Sequence, residues 1–130
     1  MKILFDTDAI IDYLTKDKDR MIMDKTLRDH ECAVSLKTVA DIHYHLKEAI
    51  DDEENIKEMI DTLRNSFVIL ALSSDPENID PITSDVDYEN AILISTASDN
   101  NYDCIVTRNN TVPEKSPIRI LTLKQLVEIL

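Results

Sequence analysis

Three apolar residues, Ile3, Leu4 and Phe5, stop at Asp6-Thr7-Asp8 and give way to apolar positions at Ala9, Ile10, Ile11, Tyr13 and Leu14. The run before the acids is too short for a helix, and the spacing after them suits one. The stretch therefore predicts a buried strand, a carboxylate-bearing turn and then a helix. In open α/β sheets ligands gather at the carboxyl ends of the strands, and Asp6 stands where such a strand would end. Two roles suit it. It serves chemistry at that edge, or it or Asp8 caps the helix by accepting backbone N–H bonds.

The same alternation continues along the chain. Lys16 to Arg20 is a charged turn, and Met21, Ile22, Met23 and Leu27 support a second helix ending near Glu31. Cys32-Ala33-Val34 is a short strand, and Ser35 caps a helix with a stripe at Val39, Ile42, His43, Leu46, Ala49 and Ile50. Asp51 to Glu54 opens another helix on Ile56, Met59, Ile60 and Leu63, with its acids at the positive end of the dipole. Phe67 to Leu70 reads as a strand, and Pro76 and Pro81 punctuate a loop or short-helix region. A helix apolar on nearly all sides runs from Asp87 to about Ser98 and should be buried. Cys104-Ile105-Val106 and Ile118 to Leu121 are the last strands, and Thr122 caps a closing helix. Strands alternating with helices predict a three-layer α/β/α fold, a four- to five-stranded parallel sheet forming one domain over residues 1–130.

Composition narrows the function classes. The 130 residues contain no glycine, which excludes a P-loop, a Gly-rich dinucleotide fingerprint and a nucleophile elbow. A net charge of −12 argues against a general nucleic-acid coat protein, because phosphate binding needs Lys and Arg. No Lys or Arg lies between Arg64 and Arg108, an interval that holds eight acids from Asp75 to Asp103. It is either a solvated acidic surface or a divalent-cation pocket. Cys32 and Cys104 sit in apolar runs, as reduced core thiols of a cytoplasmic protein do. No apolar run approaches the roughly 18 residues that span a bilayer, and no signal-peptide pattern opens the chain.

A metal-dependent phosphodiesterase needs several carboxylates converging on one spot to hold Mg²⁺ or Mn²⁺. Asp6 ends the first strand, Asp41 lies in the first turns of the helix after Ser35, and Asp87 opens the buried helix. Strand C-termini and helix N-termini share an edge of such a sheet, so Asp6 and Asp87 can meet. Asp41 lies about 200° round from Val39 at about 100° per residue, and periodicity alone places it on the surface. Two other acidic-edge families fit poorly. A haloacid dehalogenase-like motif would need Thr or Val where Ile10 stands and a later glycine, and a receiver domain would need an Asp in place of Ala71.

The order of residues resembles the PIN-domain family, of the VapC toxin type, nearly end to end. ILFDTDAIIDYL is similar to its opening strand, first acid and helix, and SLKTVADIHYHLKEA to its second-acid helix, with Asp41 where Glu is more usual. DYENAILISTASDNNYDCIVTRNN is similar to the third-acid helix and its strand, and SPIRILTLKQLVEIL to the closing strand and helix. The resemblance implies a Mg²⁺- or Mn²⁺-dependent endoribonuclease acting on RNA, often a toxin held inactive by an antitoxin and commonly a homodimer. Asp6, Asp41 and Asp87 would be the metal-holding catalytic acids. Two departures mark this chain: Asn90 stands at the family's third acid, and Asn109-Asn110-Thr111-Val112 replaces an acid found beyond the Thr-Arg. Asp87, one helical turn before Asn90, can reach the same pocket. The alternative is a degenerate PIN domain that binds protein or RNA without cutting.

The supporting residues each carry two readings. Thr7 and Thr107 end strands at this edge, where their hydroxyls orient metal waters or bond backbone groups. Arg108 counters the carboxylates or touches RNA phosphate, or else forms a structural ion pair. Asn90 positions water or ligand. Asp12 reads as a polar-face residue, His43 as packed and His45 as exposed; two residues apart on one helix, the two histidines do not converge on a metal.

Overall fold

The computed structural model describes residues 1–72, 88–108 and 116–130. Strand β1 (Lys2–Phe5) leads into α1 (Thr7–Thr15) and α2 (Arg20–Asp29), then β2 (Glu31–Ser35), α3 (Leu36–Ala49) and α4 (Glu53–Ser66). After β3 (Val68–Leu70) come α5 (Tyr88–Asp99), β4 (Cys104–Val106), β5 (Arg119–Leu121) and α6 (Leu123–Ile129). The five strands form one parallel sheet in the order β3-β2-β1-β4-β5.

A parallel sheet is covered on both faces, so its central strands are apolar at every position rather than at alternate ones. Ile3, Phe5, Cys32, Val34, Cys104 and Val106 pack on one face with Ile10 of α1, Met23 of α2, Ile42 of α3, Leu63 of α4 and Leu126 of α6. Leu4, Ala33 and Ile105 face the other way, onto Leu93, Ile94 and Ala97 of α5. That distribution explains the all-round apolar character of α5, none of whose residues from Ala91 to Ala97 is exposed. Cys32 and Cys104 flank Ile3 from the two neighbouring strands. Two strand spacings of about 4.8 Å separate their backbones, beyond the roughly 7 Å a disulfide tolerates. Both thiols are free and buried, and burial pushes Cys32 up to about 12 and Cys104 up to about 11.

Local chemistry sets the element ends. The Ser35 hydroxyl accepts the Thr38 N–H to start α3, and the Asp52 carboxylate accepts the Glu54 and Asn55 N–H groups to start α4. Thr122 and Gln125 exchange side-chain and backbone bonds in a capping box that starts α6. Left-handed backbone falls to Asp19 (φ 64°) and Asn101 (φ 59°), residue types that tolerate it when glycine is absent.

The structure corrects several sequence expectations. Helix α2 stops at Asp29, because Glu31 already belongs to β2. Phe67 is the C-cap of α4 rather than the start of β3, and its ring is buried against Phe5, edge to face, at 5.7 Å. β3 is an edge strand whose Val68 and Ile69 are exposed. His43 is exposed, not packed. The buried stripe of α3 is Thr38, Val39, Ile42 and Leu46, and His43 lies about 85° from its centre at about 100° per residue. His45 is exposed as expected.

Candidate functional site

Chain progression reverses at β1. The chain steps outward in one direction through β2 and β3, then crosses to the far side of β1 to lay down β4 and β5. The carboxyl ends of β1 and β4 therefore border the topological switch point, where open parallel sheets leave a crevice for ligands. Asp6 follows β1 and Thr107 follows β4. The Asp6 N–H donates to the Val106 carbonyl and the Thr107 N–H to the Leu121 carbonyl, both at 2.9 Å. The ladder thus runs one residue past the strands and holds both backbones at the edge.

Asp6 is also the N-cap of α1, its Oδ1 accepting the Thr7 N–H at 2.7 Å. The sequence offered capping and chemistry as rivals, but a carboxylate has about four lone-pair sites and a cap occupies one. The Thr7 hydroxyl donates to the Thr38 hydroxyl at 3.1 Å, and the Ser35 hydroxyl donates to the same oxygen at 3.2 Å. Neither role foreseen for the Thr7 hydroxyl, metal water or backbone, describes this contact. Thr38 was missed altogether, because a periodicity reading passes over a buried threonine. Its signal was the Ser35-x-x-Thr38 spacing of an N-cap.

Asp41 lies one turn beyond Thr38 on α3, half-buried, with Oδ2 taking the Lys37 ammonium at 2.7 Å. Asn90 sits in the first turn of α5, which runs back toward the start of β4 and so begins toward the carboxyl edge. Asp87 lies outside the described residues, as do residues 109–115 and residues 73–86 of the acid-rich interval.

Arg108 is committed to α1. Its Nε and Nη2 reach the two Asp12 carboxylate oxygens at 3.0 and 2.9 Å, and Nη2 also approaches the Asp8 carbonyl at 3.5 Å. Lys16 meets Asp12 Oδ1 at 3.0 Å. Burial alone would push the Asp12 carboxyl up, but Arg108 and Lys16 outweigh it and hold it below the usual carboxylate range. The Asp12 hydrogen bonds push Arg108 up in turn. A depressed carboxyl stabilises the fold above its unfolded value, about pH 4, and loses that contribution as pH falls through the lower folded value. Asp12→Asn is expected to cost up to about 1 kcal/mol at neutral pH, the pair being half-exposed and screened by salt. Urea melts at pH 7 and pH 3 check this: the difference from wild type should shrink at the lower pH.

Of the candidate acids, Asp6 ends β1 at this edge and Asp41 lies in the second turn of α3, and both offer carboxylate oxygen. The buried thiols are held protonated and face the core. Oxygen donors suit Mg²⁺ or Mn²⁺ rather than a soft metal, so the residues present fit such an ion in kind. Among the described residues no three His, Cys, Asp or Glu side chains converge on one point.

Comparison with protein families matches residues 2–111 to the PIN domain. The chain belongs to the PIN-domain family. Solved structures share the fold of this PIN domain at low identity. VapBC2 from Rickettsia felis, bound to a DNA fragment from its promoter, has a TM-score of 0.74 at 17% identity, covering 93% of this chain and 97% of that one. A toxin–antitoxin complex from Klebsiella pneumoniae has a TM-score of 0.73 at 21% identity, covering 93% and 97%. DNA-bound VapBC from Salmonella typhimurium has a TM-score of 0.74 at 16% identity, covering 95% and 98%. No curated protein matches this PIN domain by sequence. Among the described residues no helix is long and apolar enough to cross a membrane.

Proposed function

We propose that this PIN domain is a Mg²⁺- or Mn²⁺-dependent endoribonuclease and the toxin of a toxin–antitoxin pair. The observation that carries the reading is the place of Asp6, at the carboxyl end of β1 beside β4, where a parallel sheet changes direction. The structural likeness to VapBC assemblies supports an antitoxin partner, and a second copy of this chain is the other expected partner.

A bound ion would supply an activated water and offset charge on the RNA phosphate. Asp6, Asp41 and Asp87 are the residues that would hold it. The Thr7 N–H orients the Asp6 carboxylate, and Lys37 tempers the charge of Asp41. Asn90 positions water or ligand. Thr107 shapes the edge, and Arg108 would meet an RNA phosphate only by releasing the Asp12 carboxylate that now holds its guanidinium fork. No protein nucleophile takes part.

A second reading, a PIN domain that binds protein or RNA without cutting, is favoured by two features: Asn90 stands at the third acid position, and Lys37 already pairs with Asp41. Metal binding separates the two readings. Calorimetric titration with Mn²⁺ should give saturable binding in the wild type, and its absence at millimolar metal would sink the nuclease reading. Asn90→Asp adds a formal charge at the third acid position and is expected to tighten Mn²⁺ binding about tenfold, since ligand charge tunes such sites. No change on Asn90→Asp would mean that this position lies outside the ion's reach.

A further inference from the structure

Two of the buried polar side chains, Ser35 and Thr38, lie one turn apart at the start of α3. Only 3% of Thr38 is exposed, yet it sits inside the carboxyl edge of the sheet rather than at a surface cap. Its hydroxyl oxygen takes hydrogen bonds from Ser35, which ends β2, and from Thr7, which opens α1. Its own N–H donates to the Ser35 hydroxyl at 3.1 Å. Thr7 in turn donates its backbone N–H to Asp6. A continuous polar chain therefore runs from the Asp6 carboxylate through Thr7 to Thr38, and Asp41 stands one helical turn further along α3.

We propose that Thr38 is a positioning residue that fixes the Asp6 end of β1 against the helix carrying Asp41. This rests on the metal-site reading above. Apolar burial of α1 on α3 is non-directional, whereas a hydrogen bond between hydroxyls 3.1 Å apart depends on both distance and orientation. Two carboxylates on different elements form a preorganised pair only if such a link sets their separation. Groups that support metal ligands without touching the ion alter affinity by about 10- to 100-fold when removed.

The test is Mn²⁺ calorimetry on wild type, Thr38→Val, Thr38→Ser, Thr7→Val and the Thr7→Val/Thr38→Val double variant, with urea melts to establish that each is folded. Thr38→Val should bind Mn²⁺ about 10- to 100-fold more weakly, and Thr38→Ser should stay within about threefold of wild type. Thr7→Val breaks the same link from the α1 side, so the double variant should bind no more weakly than the worse single one. If Thr38→Val does not fold, Thr7→Val carries the same expectation alone. A purely structural threonine would lower the urea midpoint and leave Mn²⁺ affinity unchanged, which would overturn the proposal while the metal reading stands. A folded wild type that binds no Mn²⁺ overturns both.

Discussion

Asp6→Asn is expected to abolish measurable Mn²⁺ binding and to lower metal-dependent RNA cleavage by about 10²- to 10³-fold, the several kcal/mol that metal-assisted hydrolysis draws on. The substitution is informative because Asp6 has two roles. As N-cap it accepts the Thr7 N–H, and Asn caps a helix about as well as Asp. Stability should therefore change by only a few tenths of a kcal/mol, while the formal charge at the switch point is lost. Asp6→Ala removes both roles and should add about 1 kcal/mol of destabilisation. Parallel urea melts and cleavage assays on the two variants separate cap from site. Full cleavage by folded Asp6→Asn would remove Asp6 from the chemistry.

Phe5→Ala is expected to cost about 3–5 kcal/mol, a large share of the roughly 5–15 kcal/mol a domain has. Phe5 is fully buried at the centre of the larger core. Its ring meets Phe67 edge to face at 5.7 Å, and Phe67 meets Tyr13 at 6.3 Å. The three rings join β1, the end of α4 and α1, so the cavity opens where three elements meet. Little can collapse into it, because Asp6 follows immediately and is held by the ladder to Val106. The urea midpoint should fall with the slope unchanged. A loss below about 1 kcal/mol would mean that the neighbouring side chains repack freely.

Arg108 shows how tertiary context reassigns a residue. The sequence left three roles open for it, and the folded chain fills one of them with Asp12, 96 residues away. A guanidinium already bonded to a carboxylate must exchange that partner to meet a phosphate. Asp12 thus holds the fork, and α1 is joined to the end of β4.

What the sequence determined by itself is what depends on neighbours a few residues away. The breaks at Asp6, Ser35, Asp52 and Thr122 mark helix starts because a side-chain oxygen one to three residues from an N–H is a local fact. The continuous apolar runs of β1 and β4 announced strands covered on both faces, and the all-round apolar α5 announced its burial. Asp6 was legible for the same reason: it is the residue at which a buried run turns polar. Periodicity put Asp41 off the apolar stripe of α3, where the structure has it half-buried and paired with Lys37, and only the family resemblance singled it out as a candidate acid. Strand order, the edge position of β3, the exposure of His43 and the Thr7–Thr38 bond were decided by tertiary structure alone. Each depends on which of several apolar faces pack together. Periodicity says that a face is apolar, but the partner it finds is set by the mutual burial of the whole sheet and its helices.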